Sequence, residues 1–171
     1  MAVREIVKYG DPRLLAPNEE ISDFAAPAFG ALVGDLIETC WAAPGYGLAA
    51  PQIGVNKRVA IVDLSVGKDP AKVIVLVNPR VVSMEGGIRD EEGCLSLPDL
   101  VDVLERPESV VVEACDASGV SRTVRGRELL ARALCHEIDH LDSHLYIDRL
   151  SALKRGLLLK KVAKRKKLGT W

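Results

Sequence analysis

His136-Glu137-Ile138-Asp139-His140 sets two imidazoles four residues apart, with a carboxylate beside the first. On a helix, positions i and i+4 lie one turn above each other, so both rings project from one face. Two neutral imidazoles and an adjacent carboxylate suit a hydrolytic site around a divalent ion, with ligands and general base on one rigid element. Such a site needs a third protein ligand. One protease pattern places a histidine ten residues after the first, where this chain has Tyr146. Another places a glutamate roughly twenty residues after the second histidine, where lysine, arginine and leucine stand instead. His144 continues the i, i+4 row but would lie ~12 Å from His136 along a helix, too far to share one tetrahedral ion. It is expected near the helix end, facing solvent or partnering the C-terminal dipole.

Cys94 is the remaining candidate. It sits in Glu91-Glu92-Gly93-Cys94-Leu95-Ser96-Leu97-Pro98, read as a small-residue turn followed by an extended run. Gly93 lets the backbone approach another group closely, and the turn would aim a thiolate at the helix. A Cys-His-His set keeps a fourth position open, as catalytic zinc-type sites do. The plain alternative is a buried cysteine on a strand. Cys40, Cys115 and Cys135 are expected to be buried free thiols acting as small hydrophobes.

The elements that must position these groups follow from hydropathy. Ala25 to Ala43 reads as a helix through Phe29, Leu32, Val33, Leu36 and Ile37, ended by Pro44-Gly45. The segment 45–54 is Gly-rich, too irregular for helix and too small-sided for an ordinary strand. Strands are expected at 59–64, 73–78, 81–84, 101–104, 110–115 and 120–124, with a hairpin turn at Asp116-Ala117-Ser118-Gly119. A helix from about Arg127 to Asp142 is apolar nearly all round, so the two histidines sit on an element packed inside the domain. A last helix from about Ser151 carries Leu153, Leu157, Leu158 and Val162 on one side and a basic run on the other. The class is α+β: antiparallel β-sheets packed around a buried central helix carrying the two histidines, with a C-terminal helix.

At 171 residues the chain is read as one domain, 1–171, with the basic helix at about 151–167 included. A hydrophobic content of 48% with only 4% aromatic predicts a core of Val, Leu, Ile and Ala. No apolar run approaches the roughly 18 residues of a membrane span, and the first residues lack the layout of a signal or transit peptide. The expected location is cytoplasmic, in which four cysteines argue against a disulfide framework. The net charge of −1 hides an asymmetry: eight cations from Lys154 to Lys167 and no acid after Asp148, leaving the body at −9.

Three segments, Gly45-Tyr46-Gly47-Leu48-Ala49-Ala50-Pro51-Gln52, Glu92-Gly93-Cys94-Leu95-Ser96 and His136-Glu137-Ile138-Asp139-His140, occur in this order. Together they resemble the three signature motifs of peptide deformylases, and the likeness spans nearly the whole chain. The resemblance implies Cys94, His136 and His140 as metal ligands and Glu137 as general base and acid. It implies a substrate of nascent peptides beginning with N-formylmethionine, hydrolysed to formate and a free amino terminus. It places the Gln52 side chain and the Leu95 backbone N–H as oxyanion donors. Gly45, Tyr46 and Gly47 would flank the peptide, added as an extended strand, and Leu129 and Ala133 would wall a pocket for the methionine side chain. The implied cofactor is one divalent ion, Fe²⁺ natively, with Zn²⁺, Ni²⁺ or Co²⁺ as substitutes. Formylated initiation implies bacteria or an organelle.

Tyr46, Cys135 and Ser143 depart from residues frequent in that family; they bear on substrate preference rather than on the reaction, and Cys135 is a candidate oxidation-sensitive neighbour. The basic tail divides evenly between a solvated helix face and a contact with ribosomal RNA, with no membrane partner. Truncation after Leu153 is expected to weaken ribosome association and spare turnover of small formyl peptides. Two rival functions remain: a zinc metalloprotease-like peptidase, and a non-catalytic ribosome or RNA binder, against which the intact base argues.

Overall fold

A computed structural model describes residues 2–171. In chain order its elements are α1 (Pro27–Ala42), β1 (Gly47–Ala49), β2 (Val59–Val62), β3 (Ile74–Glu85), β4 (Ile88–Cys94), β5 (Leu97–Arg106), β6 (Ser109–Cys115), β7 (Ser121–Arg127), α2 (Glu128–Leu141) and α3 (Ala152–Lys167). Short 3-10 turns at Pro12–Leu14, Ala50–Ile53, Pro70–Lys72 and Tyr146–Arg149 complete it. The molecule is thus mixed α and β with antiparallel sheets and three helices.

Five strands form one antiparallel sheet in the order β1-β2-β3-β6-β7, while β4 and β5 form a separate two-stranded hairpin. Period-two alternation places the two faces of the large sheet against different helices. Val59 and Ile61 meet Phe29, Val33, Leu36 and Cys40 of α1. Val62, Leu76, Val110 and Val112 meet Ala131, Leu134 and Ile138 of α2. The hairpin covers another side of α2, where Cys94, Leu97, Leu100 and Leu104 cluster with Tyr146, Ile147, Leu158 and Val162. Every residue of α2 from Ala131 to Leu141 is buried, because sheet and hairpin both pack on it. Full burial of each large apolar side chain contributes ~1.5–3 kcal/mol, so this helix is held firmly.

Three expectations change in the β region. The strands expected at 73–78 and 81–84 are one strand, β3: Asn78 takes φ +50° and a register shift between Val77 and Arg80 accommodates Pro79. The Gly-rich segment 45–54 forms the short strand β1 and a 3-10 turn. The turn expected before Cys94 is strand β4, paired with β5 through Cys94↔Leu97, so Leu95 and Ser96 make the hairpin turn.

On α3, Leu158 and Val162 are buried, whereas Leu153 is 73% and Leu157 53% exposed. The apolar face is therefore rotated from the one read in the sequence. Arg165 donates to the Pro98 carbonyl (2.7 Å) and Lys154 to Asp102 (2.5 Å), which seats α3 on β5. No helix among the described residues is long and apolar enough to cross a membrane.

Candidate metal centre

Glu92 and Cys94 are two apart on β4, so both side chains leave the same face of the strand, toward α2. Gly93 points the other way, where a Cβ would lie 2.9 Å from Val101 Cγ1. His136 and His140 project from α2 one turn apart, with ring centroids 5.0 Å apart. One donor atom from each of Cys94, His136 and His140 lies within 4.8 Å of the others, and all three residues are buried. Cys94 Sγ is 3.2 Å from His140 Nε2. His144 is exposed and follows the end of α2, outside this cluster, because the helix stops at Leu141 and Ser143 turns the chain with φ +63°.

His136 Nδ1 lies 2.7 Å from Glu92 Oε1, which assigns its proton to Nδ1 and leaves Nε2 for an ion. Glu92 also accepts from Arg106 Nε (3.0 Å) and Nη2 (2.6 Å) and from Arg132 Nη1 (2.8 Å). Burial alone would raise the Glu92 pKa, but hydrogen bonds from His136 and Arg106 outweigh it and hold the carboxyl well below the usual carboxylate range. Arg106 continues to Asp139 (2.7 Å), which Arg149 also grips (2.6 Å). None of these partners stood out as functional in the sequence. The alternation of Glu92 and Cys94 would have pointed to Glu92, had β4 been recognised as a strand.

A cleft of about 430 Å³ opens over these donors, a size suited to a small ligand or peptide end. Its walls include Gly45, Tyr46, Gly47, Gln52 and Leu95 from the loops, with Leu129, Ala133, His136 and Glu137 from α2. The structure thus brings together every residue singled out for the site, with His140 buried beneath. Gly47 faces Glu137 so closely that a Cβ there would sit 2.5 Å from Glu137 Oε1, so the glycine admits the carboxylate. Burial pushes the Glu137 carboxyl up to about 7 and the His140 imidazole well below its usual value. Glu137 Oε2 and His140 Nδ1 are buried with no hydrogen-bond partner among the described residues. Gln52 Oε1 accepts from Ala49 N–H (2.9 Å), and Nε2 donates to Ser96 Oγ (3.3 Å) and toward Cys94 Sγ (3.5 Å).

Cys135 faces a different cavity of about 680 Å³ on the other side of α2, with Ile138 and Asp139. Burial pushes its thiol up to about 11, which disfavours the thiolate form. Cys40 is likewise buried and pushed up to about 12.

The donor set tests well against a divalent ion. A thiol and two imidazoles converge, one imidazole is held by a carboxylate at its far nitrogen, and an unpaired carboxylate oxygen stands beside them. The comparisons agree. The polypeptide deformylase family model matches residues 3–156. A peptide deformylase of Acidobacterium capsulatum is 47% identical over 171 residues, covering 100% of both chains. One of Thermodesulfovibrio yellowstonii is 46% identical over 97% of this chain and 100% of its own. The crystal structure of a peptide deformylase from Legionella pneumophila superposes with a TM-score of 0.91 at 40% identity, covering 98% of each chain. That of Ehrlichia chaffeensis peptide deformylase in complex with actinonin gives 0.86 at 34% identity, over 96% of this chain and 98% of that one.

Proposed function

The chain belongs to the polypeptide deformylase family, and from that membership we propose which of its residues perform the reaction. The enzyme is a hydrolase that removes the N-formyl group from nascent peptides, and the family is metal-dependent. One observation carries the assignment: the donor atoms of Cys94, His136 and His140 converge at the floor of a cleft that Glu137 also lines.

Cys94, His136 and His140 would hold the divalent ion, which when bound would supply acidification of water and polarisation of a carbonyl. Fe²⁺ is the native ion of this reading; because it binds nitrogen and sulfur sites more weakly than Ni²⁺ or Zn²⁺, recovered protein carries whichever is abundant. Glu137 takes the proton of the attacking water and delivers it to the leaving amine. The Gln52 amide and the Leu95 N–H stabilise the oxyanion formed at the formyl carbon, each contributing ~2.7–4 kcal/mol to the transition state. β1 is an edge strand, so its free side at Gly47, with Gly45 and Tyr46 flanking it, accepts the peptide in extended form. Leu129 and Ala133 wall the pocket for the methionine side chain. The buried α2 helix is the rigid element that carries ligands and base together.

The whole chain, 1–171, is one catalytic domain in this reading, supported by the packing of Leu158 and Val162 from α3 into the cluster that contains Cys94. The enzyme acts in the bacterial cytoplasm, on N-formylmethionyl peptides, with the basic face of α3 turned to ribosomal RNA. Truncation after Leu153 is no longer a suitable probe of that contact, since it would remove two buried side chains as well.

Glu137→Ala tests the assignment. The variant is expected to bind the ion as the wild type does and to lose formate release from formyl-Met-Ala by about 10²–10⁴-fold. Anaerobic formate release and metal content are measured on one preparation. Wild-type turnover with Glu137 absent would overturn the mechanism, and cleaved peptide in place of formate would favour a protease.

A further inference from the structure

The two oxyanion donors stand on different sheets. Gln52 follows β1 of the five-stranded sheet, and Leu95 lies in the turn of the β4–β5 hairpin. Among the described residues no strand pairing joins the two sheets, so neither of them by itself sets the distance between the donors. That distance matters, because donors must lie within a few tenths of an ångström of the developing charge, and a 1 Å error costs up to ~10²-fold in rate.

The segment preceding α1 spans this gap. Val7 N–H donates to the Gln52 carbonyl at 2.9 Å, and Tyr9 N–H donates to the Ser96 carbonyl at 2.8 Å. Two donors, two residues apart on one strip of chain, therefore grip the backbone of both loops. The loops are also joined by a side-chain contact, since Gln52 Nε2 donates to Ser96 Oγ at 3.3 Å. Gln52 is 1% and Ser96 0% exposed, so water does not substitute for either contact. The strip is itself fastened by the other end of the chain: Trp171 Nε1 donates to the Tyr9 carbonyl at 3.2 Å, and Lys166 Nζ stands 6.0 Å from the centre of the Tyr9 ring.

We propose that the strip Val7–Tyr9 and the Ser96 hydroxyl are positioning elements for deformylation, which fix the Gln52 amide and the Leu95 N–H relative to each other across the two sheets. The proposal rests on the reading of Gln52 and Leu95 as oxyanion donors. Ser96 acts only through the Gln52 amide, while the strip acts on both loops. Val7, Tyr9 and Ser96 touch no reacting atom; they shape the transition-state contacts and leave substrate binding alone.

The test uses the metal-loaded full chain, formyl-Met-Ala and four variants: Ser96→Ala, Tyr9→Pro, Gln52→Ala, and Ser96→Ala combined with Gln52→Ala. Proline at position 9 deletes the N–H that reaches Ser96. Ser96→Ala and Tyr9→Pro are each expected to lower kcat roughly ten- to hundred-fold, with KM and metal per chain unchanged. In the Gln52→Ala background, Ser96→Ala is expected to change kcat by less than about twofold, because coupled residues are not additive. Should Tyr9→Pro fail to fold, Val7→Pro, which deletes the N–H that reaches the Gln52 carbonyl, takes its place, and wild-type kcat in the folded strip variant would overturn the role of the strip. Equal losses from Ser96→Ala with and without Gln52, an effect confined to KM, or wild-type kcat in Ser96→Ala would overturn the positioning role while leaving the oxyanion reading intact. A Gln52→Ala enzyme with wild-type kcat would overturn that reading and the positioning role together.

Discussion

His136 is constrained from several directions, and the contact with most chemical content is at Nδ1. Glu92 accepts a hydrogen bond from Nδ1 at 2.7 Å, Tyr146 stacks on the ring at 6.4 Å between centroids, and the Tyr146 hydroxyl donates to the Leu100 carbonyl at 2.9 Å. A carboxylate at the far nitrogen fixes tautomer and orientation, and loss of such a partner typically costs 10–100-fold in metal affinity. Glu92 is also the hub of a buried charge network, so Glu92→Gln leaves Arg106 and Arg132 short of a counter-charge and costs about 3–5 kcal/mol of stability. A control separates the two effects. Asp139→Asn breaks the other arm of Arg106 without touching Nδ1, and is expected to lower stability comparably while leaving the metal dissociation constant within about threefold. Competition with a chelator, read beside urea unfolding, checks this. Equal metal loss in both variants would make the Glu92 contact a matter of general stability.

At the scale of elements, α3 packs onto the side of the molecule that holds the proposed site, since Leu158 and Val162 share a cluster with Cys94 and Leu97. Leu158→Ala is expected to cost ~2–5 kcal/mol in urea unfolding. Leu157→Ala, at a position 53% exposed, should stay within about 0.5 kcal/mol; equal losses would mean the helix is seated differently. Periodicity located this helix but not its buried face, because Leu153, Leu157, Leu158 and Val162 form one broad stripe and only tertiary contact chooses among them. The histidine helix was legible almost to the residue, since its pattern is long and its neighbours Gly126 and Asp142 bound it. β4 was not legible. Arg89 to Glu92 are all charged, so alternation gave no signal, and the buried salt bridges that make Glu92 an inward residue come from Arg106 and Arg132, far along the chain. In the sequence β3 reads as two strands for a local reason, because Pro79 ordinarily ends a strand and the bulge that admits it has no signature in composition. The proposed ligands and base are thus readable from residue type and spacing, while their supports are not, because they are made by pairing between distant segments.

Over the whole molecule, charge is divided between an acidic body and a basic last helix, and the structure decides which of the cations are free to act. Arg165 and Lys154 are spent on Pro98 and Asp102 of β5, Arg155 pairs with Asp148, and Lys166 leans on Tyr9. Lys160, Lys161, Lys164 and Lys167 are exposed, and they form the face proposed to meet ribosomal RNA. Phosphate contacts release counterions, so each one adds roughly 0.7–0.9 to the slope of log affinity against log salt. Reversing these four lysines to glutamate is expected to weaken ribosome binding at low salt and to reduce that slope by about 3, leaving Leu158 and Val162 in place. Formate release from formyl-Met-Ala should stay within about twofold of wild type, because charges on the solvent side of α3 are screened beyond a Debye length of ~8–10 Å. Ribosome binding measured by co-sedimentation across a salt series distinguishes the outcomes. Unchanged, salt-independent binding by the reversed helix would show that the face is only solvated, and that the charge asymmetry of the chain serves solubility rather than a partner.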